Sequence, residues 1–414
     1  MKLLHTSDWH LGRPLYGRNR HGEFEAFLDW LAGVVESEKV DLLAVSGDIF
    51  DTTTPSNRSQ ELYYRFLHRI SRSSGCHVVV TGGNHDSPSL LEAPGALLRE
   101  LRVHVAGAAT ADPGAAVLVL EDGGGAPLAV VCAVPYLRDR DIRTAGPGEG
   151  ADDKNRKLIE GIERHYAEVC AAADACRSGL AREVPLIATG HLFTAGGATV
   201  DGDGVREIYV GSLARVGPSS FPECIDYLAL GHLHVAQRVG GSDRLRYSGS
   251  PIPMGFGEAG QRKLVLLVEF EGRTPRVAEL PVPCFRPLER IAGTIGELSA
   301  RLLELRAAGS DAWLEVEFRG DEPAAVVQEE LDRAVSGSLL EILRIRSSRQ
   351  QASALAGSFE GEALEELDRE AVFARCLDAR GIEESLRPGL AECYHELLRS
   401  MDEEDAMSGE GGLP

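Results

Sequence analysis

Five short apolar runs in this chain break off on side chains that can hold a metal. "LLHTSDWHLG" climbs from Leu3 and stops on Asp8, Trp9 and His10. "VDLLAVSGDIFD" stops on Gly47-Asp48, and "CHVVVTGGNHDS" on Gly83-Asn84-His85-Asp86. "VPLIATGHLF" stops on Gly190-His191, and "IDYLALGHLH" on Gly231-His232, with His234 two residues further. Runs of this length and composition, bounded by Gly, Asn and Asp, read as strands. Helical periodicity lies between the early ones: Phe24, Phe27, Leu28 and Leu31 share one face, and Leu62, Phe66 and Ile70 another. Pro88 after Ser87 suits a helix start. Strands alternating with helices imply a layered α/β core, and open sheets of that kind take their ligands at the carboxyl ends of the strands. All five motifs fall there.

Each motif alone has an ordinary explanation. Asp and Ser end strands because they favour turns, Gly-Asp is a common turn, and G-N-H-D can be a turn with a helix cap. The order and shared placement carry the argument. A carboxylate and an imidazole at i and i+2 can grip one ion, and two imidazoles at i and i+2 rarely serve packing. Of 12 histidines, five (His10, His85, His191, His232 and His234) sit in these loops.

Composition narrows the class. With 414 residues, 43% hydrophobic and 26% charged, the chain suits a soluble globular protein of two or three domains. No apolar stretch approaches the roughly 20 residues of a membrane span, and "MKLLHTSDWH" does not read as a signal peptide. Eight cysteines form no C-x-x-C pair, which points to buried thiols in a reducing cytoplasm. The net charge of −21 argues at first against nucleic acid, but residues 359–414 hold 16 acidic and 5 basic side chains, so the first 358 residues carry only −10.

The five motifs in this order resemble the calcineurin-like metallophosphoesterases. "HTSDWHLG", "SGDIFDT", "TGGNHDS", "ATGHL", "ALGHLH" and "YSGSPIP" are similar, more closely, to the SbcD family of bacterial nuclease subunits. The resemblance implies a four-layer αββα sandwich with a small α/β capping domain and a C-terminal helical segment. It implies two divalent ions, manganese first and magnesium as the alternative, with Asp48 bridging them. Asp8, His10 and His234 would hold one ion, and Asn84, His191 and His232 the other. His85 would be left to protonate the leaving oxygen, with Asp86 orienting it or capping a helix. Such pairs of ions clamp the attacking and leaving oxygens of a phosphodiester. Asp51 departs from the archaeal and eukaryotic relatives, which commonly carry histidine there.

The implied activity is DNA cleavage, exonucleolytic at duplex ends and endonucleolytic at hairpins and single strands, with an SbcC-type ATPase as partner. The rivals are a phosphoprotein or small-molecule phosphoesterase on the same fold, and a catalytically inactive DNA-end scaffold, which intact ligand types at every position disfavour. Arg13, Arg18 and Arg20 after the first motif, and Arg58 after the second, are the candidates for DNA phosphate contacts. Tyr63, Tyr64 and Leu67, off the core line of helix 57–72, and surplus leucines in 88–101 suggest a homodimer interface.

Pro281, Pro283 and Pro287 mark a boundary. The expected division is a nuclease domain at 1–282, a DNA-capping domain at 283–350, a linker and SbcC-binding helices at 351–402, and a disordered acidic tail at 403–414. Leu364, Leu367, Phe373 and Leu377 would line the first of those helices, and Leu390, Tyr394, Leu397, Leu398 and Met401 the second.

Overall fold

The computed structural model describes residues 1–73, 75–143, 150–194 and 216–347, with isolated helical positions between 373 and 394. The acidic tail and most of the proposed docking helices lie outside the described residues. The chain begins β1 (Lys2–Thr6), α1 (His21–Glu38), β2 (Leu42–Ser46), α2 (Asn57–Ser73) and β3 (His77–Thr81). It continues α3 (Pro88–Glu92), α4 (Gly95–Glu100), β4 (Val103–Ala106), β5 (Val117–Glu121), β6 (Pro127–Cys132), α5 (Asp139–Ile142) and α6 (Ala151–Ser178). Then follow β7 (Leu186–His191), β8 (Tyr227–Gly231), β9 (Gln237–Val239), β10 (Ser242–Tyr247), β11 (Leu264–Glu271) and β12 (Thr274–Pro281). The last part is β13 (Leu288–Gly293), α7 (Ile295–Ala307), β14 (Trp313–Phe318), α8 (Ala324–Val335) and β15 (Glu341–Ser347).

Two six-stranded sheets form the core, ordered β12-β11-β1-β2-β3-β4 and β5-β6-β7-β8-β10-β9. Strands β1 to β4 run parallel, as do β6, β7, β8 and β10. The β11-β12 edge and strands β5 and β9 are antiparallel additions. Leu3, Leu42, Ala44 and Val79 of the first sheet pack directly on Val131, Ile187, Tyr227 and Ala229 of the second. The opposite face of the first sheet is covered by α1 and α2 through Phe24, Phe27, Leu31, Leu62 and Phe66. The opposite face of the second is covered by α6 through Leu158, Ile162, Tyr166 and Val169. Strands buried on both faces read as continuous apolar runs, which is why β2 (LLAVS) and β3 (HVVVT) show no alternation. Helix, sheet, sheet, helix is the four-layer order the resemblance implied.

One polar link crosses the sandwich. His5 of β1 is fully buried, with Nδ1 3.0 Å from the Tyr227 hydroxyl and Nε2 3.2 Å from the Leu230 carbonyl. Burial pushes its pKa down to about 3, so the ring is neutral in the folded protein.

A third sheet, β13-β14-β15, is all parallel and carries α7 and α8 around its own core of Leu298, Leu302, Leu314, Val316 and Leu331. It meets the sandwich through Leu288 and Trp313, which pack against Leu15 and Phe256.

The apolar surplus expected on α2 is not surplus. Tyr63 and Leu67 are 1% exposed, and Tyr63 meets Phe50 edge to face at 5.4 Å. A wider buried face on the first sheet's core accounts for them, with Tyr64 partly buried against the same core, and α2 is tied to α1 by Arg58 and Arg65 on Glu25 and by Arg69 on Asp29. Among the described residues no helix is long and apolar enough to cross a membrane.

Candidate dimetal centre

The carboxyl ends of β1, β2 and β3 meet those of β7 and β8 at one end of the sandwich, and the five motifs converge there. The backbone is bent to achieve it. Asp8, His10, Asp48 and His232 all have positive φ (53°, 46°, 50° and 96°). Non-glycine residues held there cost on the order of 1–3 kcal/mol each and gather at functional sites. Paired turns hold the strain: Asp8 N–H donates to the Gly47 carbonyl at 3.0 Å and His10 N–H to the Asp48 carbonyl at 3.0 Å. Trp9, between them, anchors the turn in the core against Phe27 and Phe66, its indole N–H on Thr6.

The glycines preceding the ligand types have a steric reason. A Cβ on Gly47, itself at φ 86°, would strike the His191 ring, and one on Gly231 would strike the Ser46 carbonyl. The sheets approach so closely here that only a missing side chain lets the loops interleave.

Asp8, His10 and His234 form one group and Asp48, His191 and His232 a second, the potential ligand atoms of each lying within 4.8 Å of one another. Asn84 Oδ1 joins the second, 3.0 Å from His191 Nε2 and 3.1 Å from His232 Nδ1. Asp48 Oδ2 faces both, 3.6 Å from His10 Nε2 and 3.3 Å from His191 Nε2. His10 Nε2 and His234 Nε2 stand 3.2 Å apart, both rings buried. Two imidazole nitrogens aimed at each other beside carboxylates suit a shared cation, and mixed imidazole, carboxylate and amide donors suit a divalent transition metal.

The electrostatics are those of a coupled cluster. Burial alone would raise the Asp48 carboxyl, but the charges of His191, His10 and His85 outweigh it and hold Asp48 well below the usual carboxylate range. Burial opposes charge on His191 too, yet the Asp48 and Asp8 carboxylates and the Ser46 carbonyl raise it to about 9. Burial, with His191 nearby, takes His232 down to about 3.

His85 sits beside the first group, its ring edge to face with His10 at 4.9 Å. Its backbone N–H donates to Asp48 Oδ1 at 2.9 Å, and its Nδ1 lies 2.8 Å from the Asp51 carbonyl. A carbonyl only accepts, so Nδ1 carries a proton. Asp86 has a different task from the one expected. Its carboxylate accepts the N–H groups of Ile49, Phe50 and Gly83 at 3.1, 2.9 and 2.8 Å, which pins the β2 turn to the β3 turn. The His85 ring is oriented by the Asp51 carbonyl, and α3 is capped by Ser87.

The four arginines do not form one patch. Arg18 is well exposed and pairs with Glu341 of β15 at 2.9 Å. Arg13 lies 3.4 Å from Asp51 Oδ1. Arg58 is shared between Glu25 and Glu61. Arg20 is buried: its guanidinium forks onto Glu23 at 3.0 and 2.7 Å and donates to the Pro253 carbonyl at 2.6 Å. That geometry makes Arg20 a strut between α1 and the loop before β11 instead of a surface contact.

Sequence reasoning missed Glu258, fully buried 3.3 Å from His234 Nδ1, and its partner Lys263. A carboxylate in "YSGSPIPMGFGE" carries no local signal, because the imidazole it meets belongs to a distant motif. The loop reaches the root of the first motif, with Ser248 Oγ 2.8 Å from Ser7 Oγ.

Two stacked mixed sheets with outer helices and paired ligand groups at the strand ends define a calcineurin-like metallophosphoesterase. The family model described as calcineurin-like phosphoesterase matches residues 1–167, and one described as "Type 5 capsule protein repressor C-terminal domain" matches 284–380. The chain is 37% identical to the SbcD subunit of the SbcCD nuclease of Escherichia coli K12, covering 97% of this chain and 98% of that protein. It is 35% identical to the corresponding SbcCD nuclease subunit of Rhodobacter capsulatus (90% and 94% covered) and 32% to that of Bacillus subtilis (77% and 79%). The chain belongs to the SbcD family.

Arg20→Ala should cost about 3–5 kcal/mol, because it leaves the Glu23 carboxylate buried without its partner. Arg18→Ala should cost no more than ~1 kcal/mol, as an exposed pair. Urea unfolding of the two variants measures the contrast; equal small losses would return Arg20 to the surface.

Proposed function

We propose that this chain is a metal-dependent DNA nuclease that cuts duplex ends exonucleolytically and hairpins or single strands endonucleolytically, with an SbcC-type ATPase as partner. The observation that carries the reading is the meeting of two ligand groups on Asp48 with His85 beside them, in a chain related to nuclease subunits over nearly its whole length. Asp8, His10 and His234 hold one divalent ion, Asn84, His191 and His232 the other, and Asp48 both. Manganese fits this donor set best, with magnesium as the alternative. When bound, such a pair clamps the reacting phosphodiester and supplies an ionisable water near neutral pH. His85 keeps its Nδ1 proton on the Asp51 carbonyl, so the doubly protonated ring would give its Nε2 proton to the leaving oxygen and be left neutral with Nδ1–H in place. Asp86 acts by holding the two turns that carry Asp48 and His85.

A DNA substrate is favoured over a small phosphoester by the α/β unit of residues 288–347, which meets the sandwich beside the loop leaving His10. Arg344 donates to the Tyr16 hydroxyl at 2.8 Å, and Arg18 reaches Glu341. Residues 283–350 are thus read as the DNA-capping domain on the nuclease domain of 1–282, with Arg18 and Arg13 nearest the phosphate path. Residues 351–402 are read as the SbcC-docking region; Phe373 and Tyr394, one from each expected helix, stack with ring centroids 4.1 Å apart. A homodimer rests on the resemblance and on the leucines of 88–101, of which Leu97 of α4 is exposed, since α2 contributes no spare apolar face. The free thiols, Cys176 and Cys284 exposed among them, support a cytoplasmic location.

A labelled hairpin duplex incubated with manganese and the purified chain should be cleaved. His85→Asn should retain both metals by elemental analysis and cut roughly 10²–10⁴-fold more slowly, whereas His232→Ala should lose one. Loss of metal from the His85 variant would move that residue into the ligand set. Charge reversal at Arg18 should flatten the salt dependence of DNA binding; an unchanged slope takes it off the DNA path. Light scattering should give twice the 44.5 kDa chain mass, and deleting residues 359–414 should abolish co-purification with SbcC while sparing manganese-dependent cleavage. A monomer, or full pull-down by the truncated chain, would overturn the corresponding assignment.

A further inference from the structure

The two ligand groups are backed differently. His10 presents Nε2 to the first group, and its Nδ1 lies 3.3 Å from Asp51 Oδ1, which Arg13 approaches from outside. His234 presents Nε2 to the same group, and its Nδ1 lies 3.3 Å from Glu258 Oε1. Glu258 is fully buried, and its other oxygen accepts from Ser250 Oγ at 3.2 Å, from the Met254 N–H at 3.1 Å and from the Lys263 ammonium. The ammonium in turn donates to the His234 carbonyl at 3.1 Å, so carboxylate and ligand are fixed to one frame. In the second group His191 is backed by a neutral carbonyl, its Nδ1 meeting that of Ser46 at 3.0 Å, while His232 turns its Nδ1 inward toward the co-ligand Asn84.

A carboxylate on the far nitrogen of a ligating imidazole fixes the tautomer and makes the near nitrogen a stronger donor. We propose that Asp51 and Glu258 are positioning residues that lock His10 and His234 with Nε2 toward one ion, making the Asp8–His10–His234 site the tighter of the two. The inference rests on the ligand assignment made above. It also gives Asp51 a role in a chain that lacks histidine there: its carbonyl orients His85 while its carboxylate orients His10.

The test is manganese titration of the full chain by calorimetry, with nuclease rate followed against manganese concentration. The wild-type chain should bind two ions in a tighter and a weaker class. Glu258→Gln and Asp51→Asn should each weaken the tighter class about 10–100-fold and leave the weaker one in place. Activity of both variants should return toward the wild-type rate at saturating manganese, a rescue that a damaged fold would not give. A wild-type chain that bound no manganese would sink the ligand assignment itself. Two ions bound equally tightly by the wild type, an unchanged tighter class in the variants, or loosening of the weaker class would overturn the positioning role alone. A third ion would instead make Asp51 a ligand, with His10 and His85. Should Glu258→Gln fail to fold by circular dichroism, Asp51→Asn, at a partly exposed position, decides the outcome.

Discussion

One carboxylate oxygen, Asp48 Oδ2, faces both halves of the candidate centre, and the surrounding structure is arranged around holding it there. A buried ionised carboxylate costs a great deal unless it is paired and hydrogen-bonded. Asp48 has its oxygens answered from three sides: the His85 N–H on Oδ1, and the His10 and His191 rings on Oδ2. Its left-handed backbone, the missing side chain at Gly47 and the three N–H groups gathered by Asp86 all serve to put it at that point. Asp8 repeats the device across the sandwich, its carboxylate accepting the His232 N–H at 2.9 Å. The turns after β2, β3 and β8 are thus each held by the carboxylate of another turn, and the turn after β1 by the Gly47 and Asp48 carbonyls.

The same coupling extends to the third sheet. The loop leaving His10 carries Arg13 to Asp51, Leu15 into the contact with Leu288 and Trp313, and Tyr16 into a stack on Phe256. Phe256 lies two residues from Glu258, which backs His234. Arg344 of β15 sits over the Tyr16 ring at 5.2 Å. One short run of chain thus joins the metal ligands to the α/β unit, and Tyr16 accepts a positive φ of 46° to do so.

Much of the site was legible from local pattern. A strand exposes its end at a predictable place, and ligand types clustered at i and i+2 mark chemistry without knowledge of the partner strand. The layered α/β core followed from the same pattern, as did α8 and the strands on either side of it. What misled was in each case a contact with a residue outside the motif being read. Arg20 looks like its neighbours Arg13 and Arg18 until Glu23 and the Pro253 carbonyl close around it. Tyr63 and Leu67 look like interface residues until the core of the first sheet, with Phe50, closes on them. Asp86 adjoins His85 in sequence, yet its carboxylate turns back to the β2 loop, and the group that orients the ring is a main-chain carbonyl that any residue at 51 could offer.

By itself the sequence determined which residue types stand at the ends of the five strands and where glycine clears the way, because strand period and turn chemistry act over a few positions. Only the tertiary structure decided which of those residues share an ion, which carboxylate backs which imidazole, and that His5 must be neutral. Those are properties of charge and desolvation between atoms that the chain separates by up to 225 residues and the fold brings within 3.3 Å.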